Sequence, residues 1–408
     1  MAAAPADLLL HGASGVVSWH EEAPEGADAV VLGGGKVLAV GHVAELRRSH
    51  AAAAEEDVQG RLLVPGFVDG HTHPAFAVGR AEEFDWRAQG VDYLEIARRG
   101  GGILSSVAAL RAMPEEELQA VVRGHLARMR RHGTTTLEAK SGYGLDTEAE
   151  LKSLRVLAQA AESLGMTIAP TFLGAHMVPA EHREAPEAYL ALLLEEMLPA
   201  VVEQGIAQAA DIFVEEGAFS LEMARPYLER AAELGLRLRV HADQFNALGA
   251  VELAVELGAA SVDHLEELTD SGLEALAMGG STFAGLLPAV PHFLRQEADA
   301  PARRILQAGI PYFVATDFNP GSCYTPSLAE AAHFARVRLR LTAEEALHGV
   351  TLGAAASLGL DERKGHLRPG ADADLLALDL PDHFHFGYGF GENPVAAMWL
   401  GGEAVDLS

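Results

Sequence analysis

The run LLVPGFVDGHTHP, residues 62–74, is apolar and strand-forming until it ends in His71, Thr72, His73 and Pro74. On a strand, side chains two residues apart face the same side, so His71 and His73 would stand next to each other; on a helix they would diverge. Two neutral imidazoles side by side suit a borderline divalent metal ion. A hydrogen-bonded pair at a strand end is the plainer reading, and one short motif does not separate the two. Repetition does. His176 ends the run from Thr167, His241 lies near the end of the run from Leu236, His264 of the run from Ser261, and Asp317 of the run from Pro311. One buried, satisfied histidine would be ordinary. Five histidines and an aspartate, all at strand ends, read as a metal site.

Eight apolar stretches supply the scaffold for these residues. After the run at Leu62 they begin at Thr134, Thr167, Asp211, Leu236, Ser261, Ser281 and Pro311, and amphipathic helical patterns separate most of them. Capping boxes are expected at Thr147–Glu150 and Thr342–Glu345, and Gly165 and Gly235 stand where helices should stop. Strand–helix alternation predicts a parallel sheet, and eight units predict its closure: an α/β fold, a (β/α)8 TIM-like barrel. In such barrels the chemistry sits on loops after the carboxyl ends of the strands, where these histidines fall.

The flanks differ. Residues 1–61 and 364–408 are turn-rich and strand-like, and are expected to combine into a small composite β-sandwich domain beside a barrel of residues 62–363. The stretch AVVLGGGKVLAVG, residues 29–41, lacks the glycine spacing and the Ser or Thr after Lys36 that a phosphate loop needs. A hairpin is expected there. His383 and His385, in the aromatic tail, read as structural or interfacial. His50, His125, His132, His182, His333 and His348 fall in helical or connecting stretches and read as solvated. The glycine run RRGGGILSS, residues 98–106, reads as an active-site loop or lid hinge.

Composition narrows the partners. With 58 acidic against 30 basic residues, the formal net charge is −28. Such a field repels nucleic acid and anionic lipid, so neither is expected as a partner. The single cysteine, Cys323, cannot form an internal disulfide, which fits a reducing cytoplasm. The opening MAAAPADLLLHG lacks the basic and long apolar regions of a signal peptide. The most apolar stretch, YLALLLEEMLPAVV, is broken by Glu195 and Glu196, so no membrane span is expected.

Taken together, PGFVDGHTH, His241, His264 and ATDFNPG resemble the amidohydrolase superfamily, and KGHLRPGADADLLALD is similar to the closing segment of its composite β domain. Within the superfamily, GHTHPAFAVGRAEEF, EAKSGYGL, TFLGAH, VHADQF and TDFNPGS resemble the imidazolonepropionase family. The likeness covers nearly the whole chain. That family opens the ring of 4-imidazolone-5-propanoate in histidine degradation, giving N-formimino-L-glutamate. The resemblance implies His71, His73, His241 and Asp317 as ligands of one Zn(2+) or Fe(3+) ion per chain. It implies Arg80, Tyr143, His176 and Gln244 as contacts to a small anionic substrate, and Asn319, Gly321 and Ser322 as contacts to the formimino-glutamate end of the product. His264 would stand beside the reacting carbonyl, with Gln244 and Asp317 as its catalytic companions. Ser322, in place of the family's usual threonine, keeps the hydroxyl. A homodimer is also implied.

The chemistry of the residues agrees. An ion held by neutral imidazoles and one carboxylate leaves a position for water and lowers its pKa towards ~7. The hydroxide would attack the lactam carbonyl, polarised by the ion and by His264, while Asp317 takes the water's proton and passes it to the ring nitrogen.

Three rivals are weaker. Dihydroorotase-like relatives bridge two metals with a carboxylated lysine ending strand four. Here Lys140 follows strand two and strand four offers Glu215 and Glu216, so one metal is expected, with Lys140 supporting the Tyr143 loop. Cytosine and guanine deaminases carry a glutamate three residues after the strand-five histidine, where this chain has Gln244, which cannot titrate. A binding or scaffolding barrel would be expected to have lost ligands, and all four are present.

Overall fold

Six strands precede the barrel in the computed structural model, which describes residues 4–91, 95 and 101–407. They are β1 (Ala4–His11), β2 (Gly15–Val16), β3 (Ala29–Gly33), β4 (Lys36–Gly41), β5 (His50–Asp57) and β6 (Leu62–Pro65). The hairpin forms as expected. β3 and β4 pair antiparallel about Gly34 and Gly35, both at positive φ, which a tight hairpin turn demands.

The barrel follows as β7 (Phe67–Asp69), β8 (Thr134–Lys140), β9 (Thr167–Ala175) and β10 (Ala209–Phe213). It continues as β11 (Arg237–Ala242), β12 (Ser261–His264), β13 (Phe283–Leu286) and β14 (Tyr312–Val314), each parallel to the one before. The seam between β14 and β7 closes just past the strand ends. Asp317 N–H donates to the His71 carbonyl at 3.1 Å, and His73 N–H to that of Phe318 at 3.0 Å. The seam therefore fixes the spacing between the histidine pair and Asp317.

After the barrel come β15 (Leu375–Leu378), β16 (Val395–Leu400) and β17 (Glu403–Ala404). With β2 and β6 they form a five-stranded sheet, which faces the four-stranded sheet β4-β3-β1-β5. Leu10, Val30, Leu32 and Val37 of one sheet share an apolar core with Leu63, Leu375 and Trp399 of the other. The terminal segments are thus joined as a sandwich. One detail differs from the expected single first strand: Leu62–Pro65 pairs with β15, and only Phe67–Asp69 enters the barrel. Gly66 marks the break, and a Cβ there would collide with Thr135.

Helix ends show where local signals hold. Thr342 and Glu345 make the reciprocal capping box, and Gly165 and Gly235 take positive φ at helix ends. The box expected at Thr147 does not form. Asp146 caps that helix through Ala149 N–H, and Glu150 turns back to accept from the N–H groups of Gly142, Gly144 and Leu145. Glu150 thereby shapes the loop that carries Tyr143. His125 is not solvated: it is buried, stacked on Phe76 at 4.0 Å and bonded to the Pro74 carbonyl at 3.0 Å. His383 and His385 form a short turn outside the barrel, with His385 paired to Asp382 at 2.8 Å. Of the glycine run, residues 98–100 lie outside the described residues. Among the described residues no helix is long and apolar enough to cross a membrane.

Candidate metal centre and substrate cavity

Four side-chain atoms converge at the carboxyl end of the barrel. His71 Nε2 lies 3.1 Å from His73 Nε2, which lies 3.3 Å from His241 Nε2. Asp317 Oδ1 stands 3.5 Å from His71 Nε2 and 3.3 Å from His73 Nε2. Burial decides the protonation of these rings. His71 and His73 are held well below the ordinary imidazole value, first by burial and next by the nearby Lys140 ammonium. His241 is lowered to about 4, again mainly by burial.

The tautomers follow from the outer partners. His71 Nδ1–H donates to Asp263 Oδ2 at 2.7 Å, and His241 Nδ1–H donates to Asp211 Oδ1 at 3.0 Å. That leaves their Nε2 lone pairs both facing His73 Nε2, which can carry at most one proton, so no neutral tautomer of His73 satisfies both, whereas a cation between them would. Ligands about 2.1 Å from a tetrahedral ion stand about 3.4 Å apart, close to the separations here. The donor set fits one resident metal ion.

Beneath it lies a buried charge network that the sequence motifs did not reveal. Lys140 Nζ bonds Glu138 Oε1 and Asp211 Oδ2, each at 2.7 Å, in a wholly buried triad. Burial alone would raise the Asp211 carboxyl, but His241 and Lys140 outweigh it and hold it below the usual carboxylate range. Lys140 therefore supports His241 through Asp211, rather than the Tyr143 loop. On the other side, Arg239 Nη2 donates to the Gly70 carbonyl at 2.9 Å and lies 3.8 Å from Asp263, the partner of His71. Charged residues inside the apolar runs, at Asp211 and Asp263, were the available signal.

Lys140→Met should leave two buried carboxylates without their ammonium partner. We expect a loss of about 3–5 kcal/mol in stability and about 10–100-fold weaker metal binding. A urea midpoint and a competitive metal titration on the purified variant would measure both. Wild-type metal affinity in this variant would show that Lys140 is irrelevant to the centre.

Above the ligands opens a cavity of about 360 Å³. It is lined by Arg80, Tyr143, His176, Gln244, His264, Asn319, Gly321 and Ser322, together with His73, His241 and Asp317. The structure thus gathers the substrate and catalytic candidates around one space. His176 Nδ1–H donates to the Gly142 carbonyl at 2.9 Å, and burial lowers its pKa to about 3. It offers a lone pair. His264 behaves oppositely: burial would lower it, but Glu266, 3.7 Å away, raises it, favouring the donor form. Burial also raises the Asp317 carboxyl, against the pull of His264 and His241. His264, Leu265, Asp243 and Asp317 all take positive φ. Non-glycine residues adopt this at about 1–3 kcal/mol each, a cost concentrated here at the strand ends.

The strand-eight turn is braced from within. Asn319 Oδ1 accepts from the N–H groups of Gly321 and Ser322, each at 2.7 Å. Its amide donates to the Asp317 carbonyl and to Ser322 Oγ, and that hydroxyl reaches Asp317 Oδ2 at 3.3 Å. A ligand held by these atoms would have to replace one of the internal bonds. Gly321 has a further duty: a Cβ there would overlap the Arg80 guanidinium, which lies across it. Two other charged residues of this wall, Glu83 and Arg87, were not expected in the cavity.

Comparison with known proteins bears on this arrangement. The amidohydrolase family model matches residues 62–405. Imidazolonepropionase of Rubrobacter xylanophilus is 45% identical over 405 residues, covering 96% of each chain. That of Bacillus velezensis is 41% identical, over 93% of this chain and 89% of its own. Among solved structures, an adenosine deaminase from Xanthomonas campestris with bound zinc superposes with a TM-score of 0.74 at 19% identity, over 99% of this chain and 93% of its own. E. coli guanine deaminase gives 0.73 at 17%, over 99% and 98%. At such identity these two establish the fold alone. The full-length match to the family model, and relatives sharing more than two-fifths of their residues, show that the chain belongs to the amidohydrolase family and, within it, to the imidazolonepropionases.

Proposed function

We propose that the protein hydrolyses 4-imidazolone-5-propanoate to N-formimino-L-glutamate with one bound metal ion, zinc or iron. The observation that carries this reading is the joining of the four-donor cluster to a cavity that also holds a nearly buried arginine. When bound, the ion supplies Lewis acidity, lowering the pKa of water and polarising the ring carbonyl. The rest is done by side chains. Arg80 grips the propanoate carboxylate, and the His176 Nε2 lone pair accepts a ring N–H. Tyr143 and Gln244 line the space for the ring. His264 donates to the carbonyl oxygen as negative charge develops there. Asp317 accepts a proton from the attacking water and returns it to the ring nitrogen as the amide C–N bond breaks. The Asn319–Ser322 turn would meet the formimino-glutamate end of the product. Gln244, without a titrating proton, gives a deaminase no shuttle at this position.

The direct test is the ultraviolet absorbance of 4-imidazolone-5-propanoate, followed with the metal-loaded protein. Its disappearance with stoichiometric formation of N-formimino-L-glutamate is expected. No turnover by protein that holds its metal would reject the reading. Within it, Asp317→Asn should keep the fold and lower kcat by about 10²–10⁴-fold, since proton transfer is needed only on the way to the transition state. Turnover within a few-fold of wild type would remove Asp317 from that role. A homodimer is proposed for sedimentation to test. A cytoplasmic location is supported by the single, buried, unbridged Cys323.

A further inference from the structure

Gln244 reaches the cavity through a short kinked stretch of backbone. It follows Asp243, which sits at φ +52, and the chain from there to Gly249 belongs to no helix or strand. A kink of this kind persists only where its surroundings over-determine it. Its carbonyls are held from two sides. The N–H groups of Leu265 and Glu267 donate to the Ala242 and Asp243 carbonyls at 3.1 and 2.8 Å, and Gln296 Nε2 donates to that of Gln244 at 3.3 Å. The two N–H groups that follow share one acceptor, Glu215.

Glu215 stands just past β10 and is 5% exposed. Its Oε2 accepts from the N–H groups of Phe245 at 2.9 Å and Asn246 at 3.2 Å. Its Oε1 accepts from the Asn246 amide at 2.7 Å and from Glu216 N–H at 2.8 Å. Hydrogen bonds to a carboxylate are stronger than those between neutral groups. The Glu215 backbone is fixed in turn: its N–H donates to the Phe219 carbonyl at 3.1 Å, and its carbonyl accepts from Ala218 N–H at 3.0 Å. Glu215 therefore anchors the loop after β11 to a tight turn at the end of β10.

The bond to Phe245 N–H bears most directly on the cavity. The peptide joining Gln244 to Phe245 is planar, and both its ends are held: the carbonyl by Gln296 and the N–H by Glu215. The preceding peptide is held by Glu267. Two fixed planes set the direction in which the Gln244 side chain leaves the backbone, and that side chain lines the cavity. His241, three residues earlier, is placed by strand pairing with Phe213 and Asp263, which does not need the Glu215 carboxylate.

We propose that Glu215 is a positioning residue for Gln244: its carboxylate holds the Gln244–Phe245 peptide so that the Gln244 amide faces the substrate ring. This rests on Gln244 as a contact to the substrate.

The experiment measures kcat/KM for 4-imidazolone-5-propanoate, with a competitive metal titration, on wild type, Glu215→Ala, Glu215→Gln, Gln244→Ala and the double variant Glu215→Ala/Gln244→Ala. Glu215→Ala should lower kcat/KM by at least about tenfold while metal affinity stays within about threefold of wild type. Glu215→Gln keeps an oxygen for the Phe245 and Asn246 N–H groups and should recover most of that loss. In the Gln244→Ala background, Glu215→Ala should cost less than about twofold, because the group it positions is gone. Equal loss in both backgrounds, no loss in Glu215→Ala, or no recovery in Glu215→Gln would overturn the proposal. So would metal affinity falling in step with activity, which would place the effect at His241. If Glu215→Ala does not fold, Glu215→Asp takes its place in the same cycle. It keeps the charge but draws the carboxylate back by one methylene, and should cost at least about threefold only when Gln244 is present. Wild-type kcat/KM in Gln244→Ala would reject the underlying contact itself. A loss there that is uncoupled from Glu215 would reject the positioning role alone.

Discussion

Alanine at His71, His73 or Asp317 is expected to strip the protein of its metal ion or to lower turnover by at least about 10³-fold. Each residue supplies one of four donor atoms, and the others cannot move in to replace it. His71 and Asp317 flank the barrel seam, and His71 is locked to Asp263. Elemental analysis of dialysed protein should find close to one ion per wild-type chain and far less in the variants. His176→Ala is the control. Its ring stacks on His73 at 5.4 Å, but its Nδ1 is spent on the Gly142 carbonyl and it stands outside the donor cluster, so metal should be retained. Two ions per chain, with a carbamate on Lys140, would overturn the mononuclear reading. The paired contacts of Lys140 with Glu138 and Asp211 argue against it.

Arg80→Met is expected to raise KM for 4-imidazolone-5-propanoate by a factor equivalent to about 2–4 kcal/mol, and to change much less for an imidazolone without the arm. The substrate is an anion and the chain carries a formal charge of −28, so long-range electrostatics oppose its approach. A local cation must compensate. Arg80 is suited by geometry: its side chain is 15% exposed and lies over Gly321 at the mouth of the metal ligands' cavity. A guanidinium grips a carboxylate through two parallel hydrogen bonds, which the point charge of a lysine does not reproduce. Equal loss on both substrates would show that Arg80 holds the loop or the centre instead.

What could be read from the chain alone follows from periodicity and from chemistry that is rare by chance. Alternating apolar runs and helical patterns specify strand and helix locally, so the eight-stranded barrel was legible. So was the position of His71, His73, His241, His264 and Asp317 at strand ends, because a strand's register fixes which end a residue occupies. Local capping was legible at Thr342 but not at Thr147, where Asp146 sits one residue earlier and competes for the same N–H groups. The outer layer of the site was not legible. Asp211, Asp263, Lys140 and Arg239 are single charges inside apolar runs, with nothing in their spacing to pair them. Their partners are assigned only when the closed barrel turns the ends of β7, β8, β10, β11 and β12 towards one another. Nor was the place of Glu83 and Arg87 in the cavity wall legible, since helix position says nothing of what lies across a cavity. Interactions among near neighbours in sequence are set by backbone geometry that the chain carries within itself. Those between residues tens or hundreds apart, such as His71 with Asp263, exist only once tertiary packing has brought both together and taken them out of water.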